Sequence, residues 1–336
     1  MFVGELLDGA ILRNDILIHD MPPALQVALN TSTDEKTVSY LRSRKEKMII
    51  SAKNELDSCD ELYQVPSFDA LMNATKENQL EWDAVSNFKR SSSQSQESFT
   101  EQHIAVKYCV GVIDKYRLIE NADRLQKSVV LVGAPGSGKS FLNNSFLSMY
   151  AISKGLTVTN MTIMSKRGIN VGGCHVHVDF CLKVSSYGTP QERANQAITN
   201  LIRNPVRLNF LKMLNIIFID EIGQFSAEMM SVLDIILRKI RDSNIFFGGL
   251  LIIGTMDHRQ LPPPTGHPFL VGSHILTCFE FIRLQHSIRA SGDPSFQRLQ
   301  YLSRIHATKY TPELLNEFVD LLPKVCFALC LILCKE

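Results

Sequence analysis

The sequence lacks what would tie it to a membrane or to an oxidising compartment. Its longest apolar run, 325–334, is ten residues, against the roughly 20 that a helix needs to span a bilayer. Its first residues include acidic side chains and no basic stretch leading into a long apolar core, so no secretory leader is expected. The eight cysteines contain no CxxC pair and no zinc-type spacing, and they read as reduced intracellular thiols. Charge of either sign is not in excess. There are 35 Lys+Arg against 34 Asp+Glu, a net of +1, which excludes a bulk field drawing the chain to polyanions but not a local basic groove. No internal repeat of fixed period and no guanine-reading NKxD motif is present. What remains is an ordinary globular composition, 45% hydrophobic and 21% charged over 336 residues, enough to bury a sizeable core.

Two unequal parts are expected. Residues 1–88 carry scattered apolar patches without converging chemistry, and the Ser/Gln-rich stretch 89–100 reads as a linker. Within 101–324, apolar runs at 128–132, 156–161, 214–220 and 250–254 suit buried strands of a mostly parallel sheet. Helical spacing at 102–116, 139–153, 227–241 and 294–305 alternates with them, the pattern of a βαβ-built α/β domain. The apolar segment 325–336, with Cys326, Cys330 and Cys334 on one helix face, is expected to be a buried helix or a truncated or aberrant end.

The chemistry starts at Gly133-Ala134-Pro135-Gly136-Ser137-Gly138-Lys139-Ser140, which fits G-x-x-x-x-G-K-[ST] between an apolar strand and a helix. Glycines let successive N–H groups turn toward phosphate oxygens, and the helix N-terminus adds positive potential. Lys139 would reach the β- and γ-phosphates, and the Ser140 hydroxyl would hold Mg²⁺. ATP and Mg²⁺ are therefore the expected cofactors. A second apolar strand ends in Asp220-Glu221. At the carboxyl edge of a parallel sheet, Asp220 would hold the metal through its water shell while Glu221 polarises the attacking water. Downstream, Gln260 follows a third buried strand as a sensor of the γ-phosphate. Arg289 follows a fourth, where a guanidinium could stabilise phosphoryl charge.

These motifs in this order resemble the PIF-type DNA helicases of superfamily one. The resemblance runs over about 98–322. GAPGSGKS, FIDEIGQF and DHRQLPP are similar to the family's first three motifs, and LQHSIRA followed by DPSFQRLQYLSRI is similar to its fourth. It implies a RecA-like P-loop lobe, an adenine contact for Gln102 in FTEQ, and a DNA-facing segment holding His175 and His177 in GGCHVH. Thr159 opens the stretch similar to the family's phosphate-contacting T-A-x-T-G-x-A-A, and is expected to touch DNA. That stretch departs from the family pattern at Ile163, Ser165 and Lys166. The resemblance further implies 5′-to-3′ movement on single-stranded DNA, roles in repair, recombination and telomere maintenance, and a nuclear rather than mitochondrial place. Neither a second RecA-like lobe nor its arginine is found in the sequence, so self-association or a missing lobe is one expectation. A single-lobe ATP-binding module that does not unwind DNA is the alternative.

Overall fold

The computed structural model describes residues 23–59, 63–92, 94–118, 127–183, 188–260, 262–288, 293–305 and 307–333. The expectations placed on residues 1–22 and on Arg289 lie outside these. Two long helices, α1 (Pro23–Asp57) and α2 (Gln96–Leu118), precede the sheet, with short helical turns at Phe68–Asn73 and Ala84–Asn87 between them. Strand β1 (Ser128–Gly133) then runs into the phosphate loop. The helix after the loop begins with i→i+5 geometry over Phe141–Leu147 and continues as α3 (Ser148–Ser153). Next come β2 (Val158–Thr162), β3 (Cys174–His175), α4 (Pro190–Ile202), α5 (Pro205–Met213), β4 (Ile216–Ile219) and α6 (Ala227–Ile240). The order closes with β5 (Leu251–Met256), β6 (Phe279–Leu284), α7 (Pro294–Ser303) and α8 (Pro312–Leu333). Helix α8 carries Pro323 inside it and runs on to Leu333, and the expectation placed on Cys334 lies outside the described residues.

All six strands are parallel, in the order β3-β2-β4-β5-β1-β6. Their near-continuous apolar runs follow from burial on both faces. Val129, Leu131, Phe218 and Ile253 pack on one side with α2 and α3. Val130, Ile217, Ile219 and Ile252 pack on the other with α4, α5 and α6. Local chemistry sets the helix starts. Thr189 and Glu192 form a reciprocal capping box at α4. Ser226 caps Met229 at α6, and Asp293 caps Phe296 at α7 with Pro294 next.

The core does not stop at residue 88. Met48, Ile49, Trp82 and Phe88 enter the same apolar cluster as the sheet. Trp82 donates its indole N–H to the Gln64 carbonyl at 2.8 Å and lies 5.6 Å from the Phe146 ring. Helix α1 contributes Ile49 to one face and Tyr40 and Leu41 to the other, so it wraps the sheet edge at β2 and covers strand backbone that β3 is too short to pair. The segment expected to be a linker also differs. Its last residues begin α2, and Gln94 and Ser98 are buried. Those two turn inward to a hydrogen-bond network, while Lys89, Arg90, Ser95, Gln96 and Glu97 stay exposed.

Candidate nucleotide site

Strand β5 lies between β1 and β4, so its carboxyl end falls between the phosphate loop and Asp220. That order assembles the site. Gly136 and Gly138 adopt φ of 78° and 82°, the left-handed region that glycine enters without steric cost. A Cβ on Gly138 would stand 2.2 Å from the Gln102 amide nitrogen. Lys139 folds its ammonium back on the loop, donating to the carbonyls of Gly133 at 2.9 Å and Ala134 at 2.8 Å. Burial pulls its pKa below the ordinary lysine value against the pull of Asp257, Glu221 and Asp220.

Asp220 is 1% exposed, and its Oδ1 accepts from the Ser140 hydroxyl at 2.8 Å and the Thr255 hydroxyl at 2.7 Å. The Glu221 N–H donates back to the Thr255 Oγ1 at 3.0 Å. Glu221 itself sits at φ 58°, ψ 50°, a left-handed backbone that a non-glycine residue holds at a cost of about 1–3 kcal/mol and that concentrates at functional sites. The Gln260 side-chain amide lies against the Glu221 carboxylate, 2.5 Å from Oε2 and 3.3 Å from Oε1, and only its nitrogen can donate to those oxygens, so the hydrogen-bonded orientation turns the nitrogen toward Glu221. The structure thus brings together Lys139, Ser140, Asp220, Glu221 and Gln260. Their oxygen donors, a hydroxyl and a carboxylate beside a phosphate cradle, fit Mg²⁺ on a nucleotide. A cavity of about 760 Å³ opens beside the loop, lined by Gly133, Ala134, His258, Arg283, Tyr301 and Arg304 among others.

Four expected residues are placed differently. Gln102 is 3% exposed, and its amide is engaged at both ends. It donates to the Ser137 carbonyl at 2.8 Å and accepts from Gln94 at 2.9 Å, so here it braces the phosphate loop instead of presenting itself to a base. Thr159 is fully buried, bonded to Arg44 of α1, and in this arrangement faces no open surface where DNA could lie. His175 and His177 are half-buried and turn toward each other, Nδ1 to Nδ1 at 3.3 Å. Burial, then His175 and Arg193, push the His177 pKa down to about 4.

Other residues in the site were not singled out from the sequence. Thr255 was hidden in an apolar strand. Glu101, beside Gln102, accepts from the backbone N–H groups of Gln285 at 2.8 Å and His286 at 3.1 Å. It thereby fastens the segment after β6 to α2. Asp257 pairs with Arg304 through both oxygens, at 2.8 and 2.5 Å. Burial pushes the Asp257 carboxyl up, but the Arg304 guanidinium outweighs it and holds the group below the usual carboxylate range.

A phosphate cradle, a strand-end Asp-Glu pair and a polar residue from the intervening strand define a RecA-like P-loop nucleotide-binding lobe. The sequence model described as "PIF1-like helicase" matches residues 114–289, just over half of the chain. The chain belongs to that family. It is 26% identical over 205 residues to the ATP-dependent DNA helicase Pif1 of Bdellovibrio bacteriovorus, across 59% of this chain and 44% of the relative. It is 32% identical over 153 residues to that of Campylobacter jejuni, across 42% of this chain and 31% of the relative. Its fold is similar to the crystal structure of Pif1 helicase from Candida albicans, with a TM-score of 0.51 and 20% identity, over 62% of this chain and 44% of that one. The chain therefore spans less than half the length of these relatives.

Proposed function

We propose that this chain is an ATP-hydrolysing lobe of a DNA helicase and that single-stranded DNA is the partner that stimulates it. One observation carries the hydrolysis reading: Thr255 ties Asp220 to Glu221 while Gln260 reaches the Glu221 carboxylate. A site that only held nucleotide would have no use for a second carboxylate fixed at the mouth of the phosphate loop. Ser140 and Asp220 would hold Mg²⁺, which supplies charge neutralisation on the phosphates when bound. Lys139 would exchange its two loop carbonyls for phosphate oxygens. Glu221 would orient and polarise water, with its carboxylate aimed by the Gln260 amide.

Family membership supports the DNA reading, with 5′-to-3′ movement, repair, recombination and telomere maintenance as its finer form and the nucleus as its place. Among the described residues no helix is long and apolar enough to cross a membrane. Movement along a strand needs two lobes closing on nucleotide, so unwinding would draw on a second lobe or a second copy. The alternative is a single-lobe module in which nucleotide binds without unwinding. ATP turnover with and without single-stranded DNA tests this, with Lys139→Ala as control. Stimulation lost in the variant supports the helicase reading. Nucleotide binding with no turnover in either condition overturns it in favour of a binding module.

A further inference from the structure

The turn after β5 is pinned from outside the sheet. Asp257 is 4% exposed, and both its oxygens are taken by the Arg304 guanidinium. Its Oδ1 also accepts the Arg259 N–H at 3.0 Å, and its carbonyl accepts the Gln260 N–H at 3.1 Å. A carboxylate held by a planar fork cannot rotate without breaking two charge-assisted bonds at once. The first residue of the turn is therefore fixed, and Gln260, three residues on, leaves it with its amide against Glu221. Arg304 caps the C-terminus of α7. That helix is fastened to α8 by a second two-point pair, Arg298 to Glu317 at 2.6 and 2.8 Å.

We infer that Arg304 is a positioning residue for hydrolysis: through Asp257 it sets the turn that delivers Gln260 to the Glu221 carboxylate. The α7–α8 hairpin thereby controls turnover at a step separate from nucleotide binding. The inference rests on the hydrolysis reading of this site. Its rival is a direct role, because Arg304 also lines the cavity beside the phosphate loop, where a guanidinium could meet the nucleotide itself.

Steady-state ATP hydrolysis by the full chain and by Arg304→Ala, Arg304→Lys, Gln260→Ala and the double variant Arg304→Ala/Gln260→Ala separates the two. Arg304→Ala should lower kcat about tenfold or more with KM for ATP within about twofold. Arg304→Lys should recover part of that loss, because an ammonium restores the charge but not the fork. The double variant should be no slower than Gln260→Ala alone. Backbone hydrogen exchange at Arg259 and Gln260, measured without nucleotide, should accelerate in Arg304→Ala. Should that variant fail to fold, Arg304→Lys and Asp257→Asn carry the same readouts. A rise in KM at constant kcat, losses that multiply in the double variant, or unchanged exchange each overturn the positioning role. A wild-type chain with no turnover sinks the hydrolysis reading instead, and the exchange readout then decides the latch by itself.

Discussion

Two buried aspartates in this fold share a motif and differ in use. Asp220, at the end of β4, and Asp179, in the short helix Val176–Asp179, are each linked to a buried threonine hydroxyl of the sheet, one directly and one through an arginine. Thr255 bonds Asp220 directly. Thr159 reaches Asp179 through Arg44, which donates to both and lies 3.0 Å from the carboxylate. Tyr40 donates to the other oxygen of Asp179 at 3.2 Å. Burial raises the Asp179 pKa while Arg44 and Tyr40 oppose that shift. At β2 the charge is satisfied from within and sealed under α1, so it fixes an edge. At β4 the partners are hydroxyls beside a cavity, so the carboxylate can take a hydrated cation and a phosphate. The same residue types give structure in one place and chemistry in the other. What separates them is whether the compensating cation belongs to the chain or to a ligand.

The sharpest way to break the comparison is to remove a cation from each side. Lys139→Ala should cut ATP turnover by about a thousandfold or more. It should leave the urea unfolding midpoint nearly unchanged, because the buried ammonium already carries a desolvation penalty. Arg44→Ala should do the reverse. An uncompensated Asp179 should cost about 3–5 kcal/mol in urea unfolding, with turnover per folded molecule held. Adding Asp179→Asn should recover part of the loss. A catalytic defect in folded Arg44→Ala would mean that the β2 edge is part of the working site.

A smaller effect tests the threonine. Thr255→Val keeps the shape of the side chain but strips Asp220 of a donor and the Glu221 N–H of an acceptor. It should cost about 1–3 kcal/mol in stability. The loss of orientation should lower turnover by about ten- to a hundredfold. A variant that is destabilised yet turns over normally would make Thr255 a packing residue like Thr159.

The sequence announces one side of this comparison and hides the other. A glycine run followed by Lys139 and Ser140, and four apolar strands, are legible because phosphate cradles and buried parallel strands restrict residue choice locally. The strand expected at 250–254 was read for its apolar run, and Thr255 just past it is visible only once β5 is known to lie between β1 and β4. Arg44 stands in the mixed-charge stretch 42–47, a pattern that by itself suits a solvated helix face. Its partners lie 115 and 135 residues away, and charge patterning within one helix carries no trace of them. Ser/Gln richness at 89–100 suggested a linker. Gln94 and Gln102 instead spend their amides bracing the phosphate loop, a role composition cannot separate from solubility.

The smallest predicted effect bears on pH and centres on the β2 edge; burial lowers His258 beside the nucleotide cavity in the same direction, and the comparison with a His177 variant isolates the edge. An unfolded histidine titrates near 6.5, whereas His177 in the fold titrates at about 4 because it is half-buried and faces His175 and Arg193. Between those values the unfolded chain holds more proton than the folded one, so stability rises with pH and is lost on acidification from about 6.5 toward 4. Partial exposure of the ring limits the contribution to about 1 kcal/mol. Carboxylates held low, Asp257 among them, keep their contribution through this window and lose it only below about pH 4. Urea midpoints for the full chain and His177→Gln, measured from pH 7.5 to 4.5, should therefore diverge in slope, with the variant the flatter. Identical slopes would mean that the histidine pair opens to solvent in the folded state. In that case the β2–β3 edge would be looser than the sealed Arg44–Asp179 pair beside it implies.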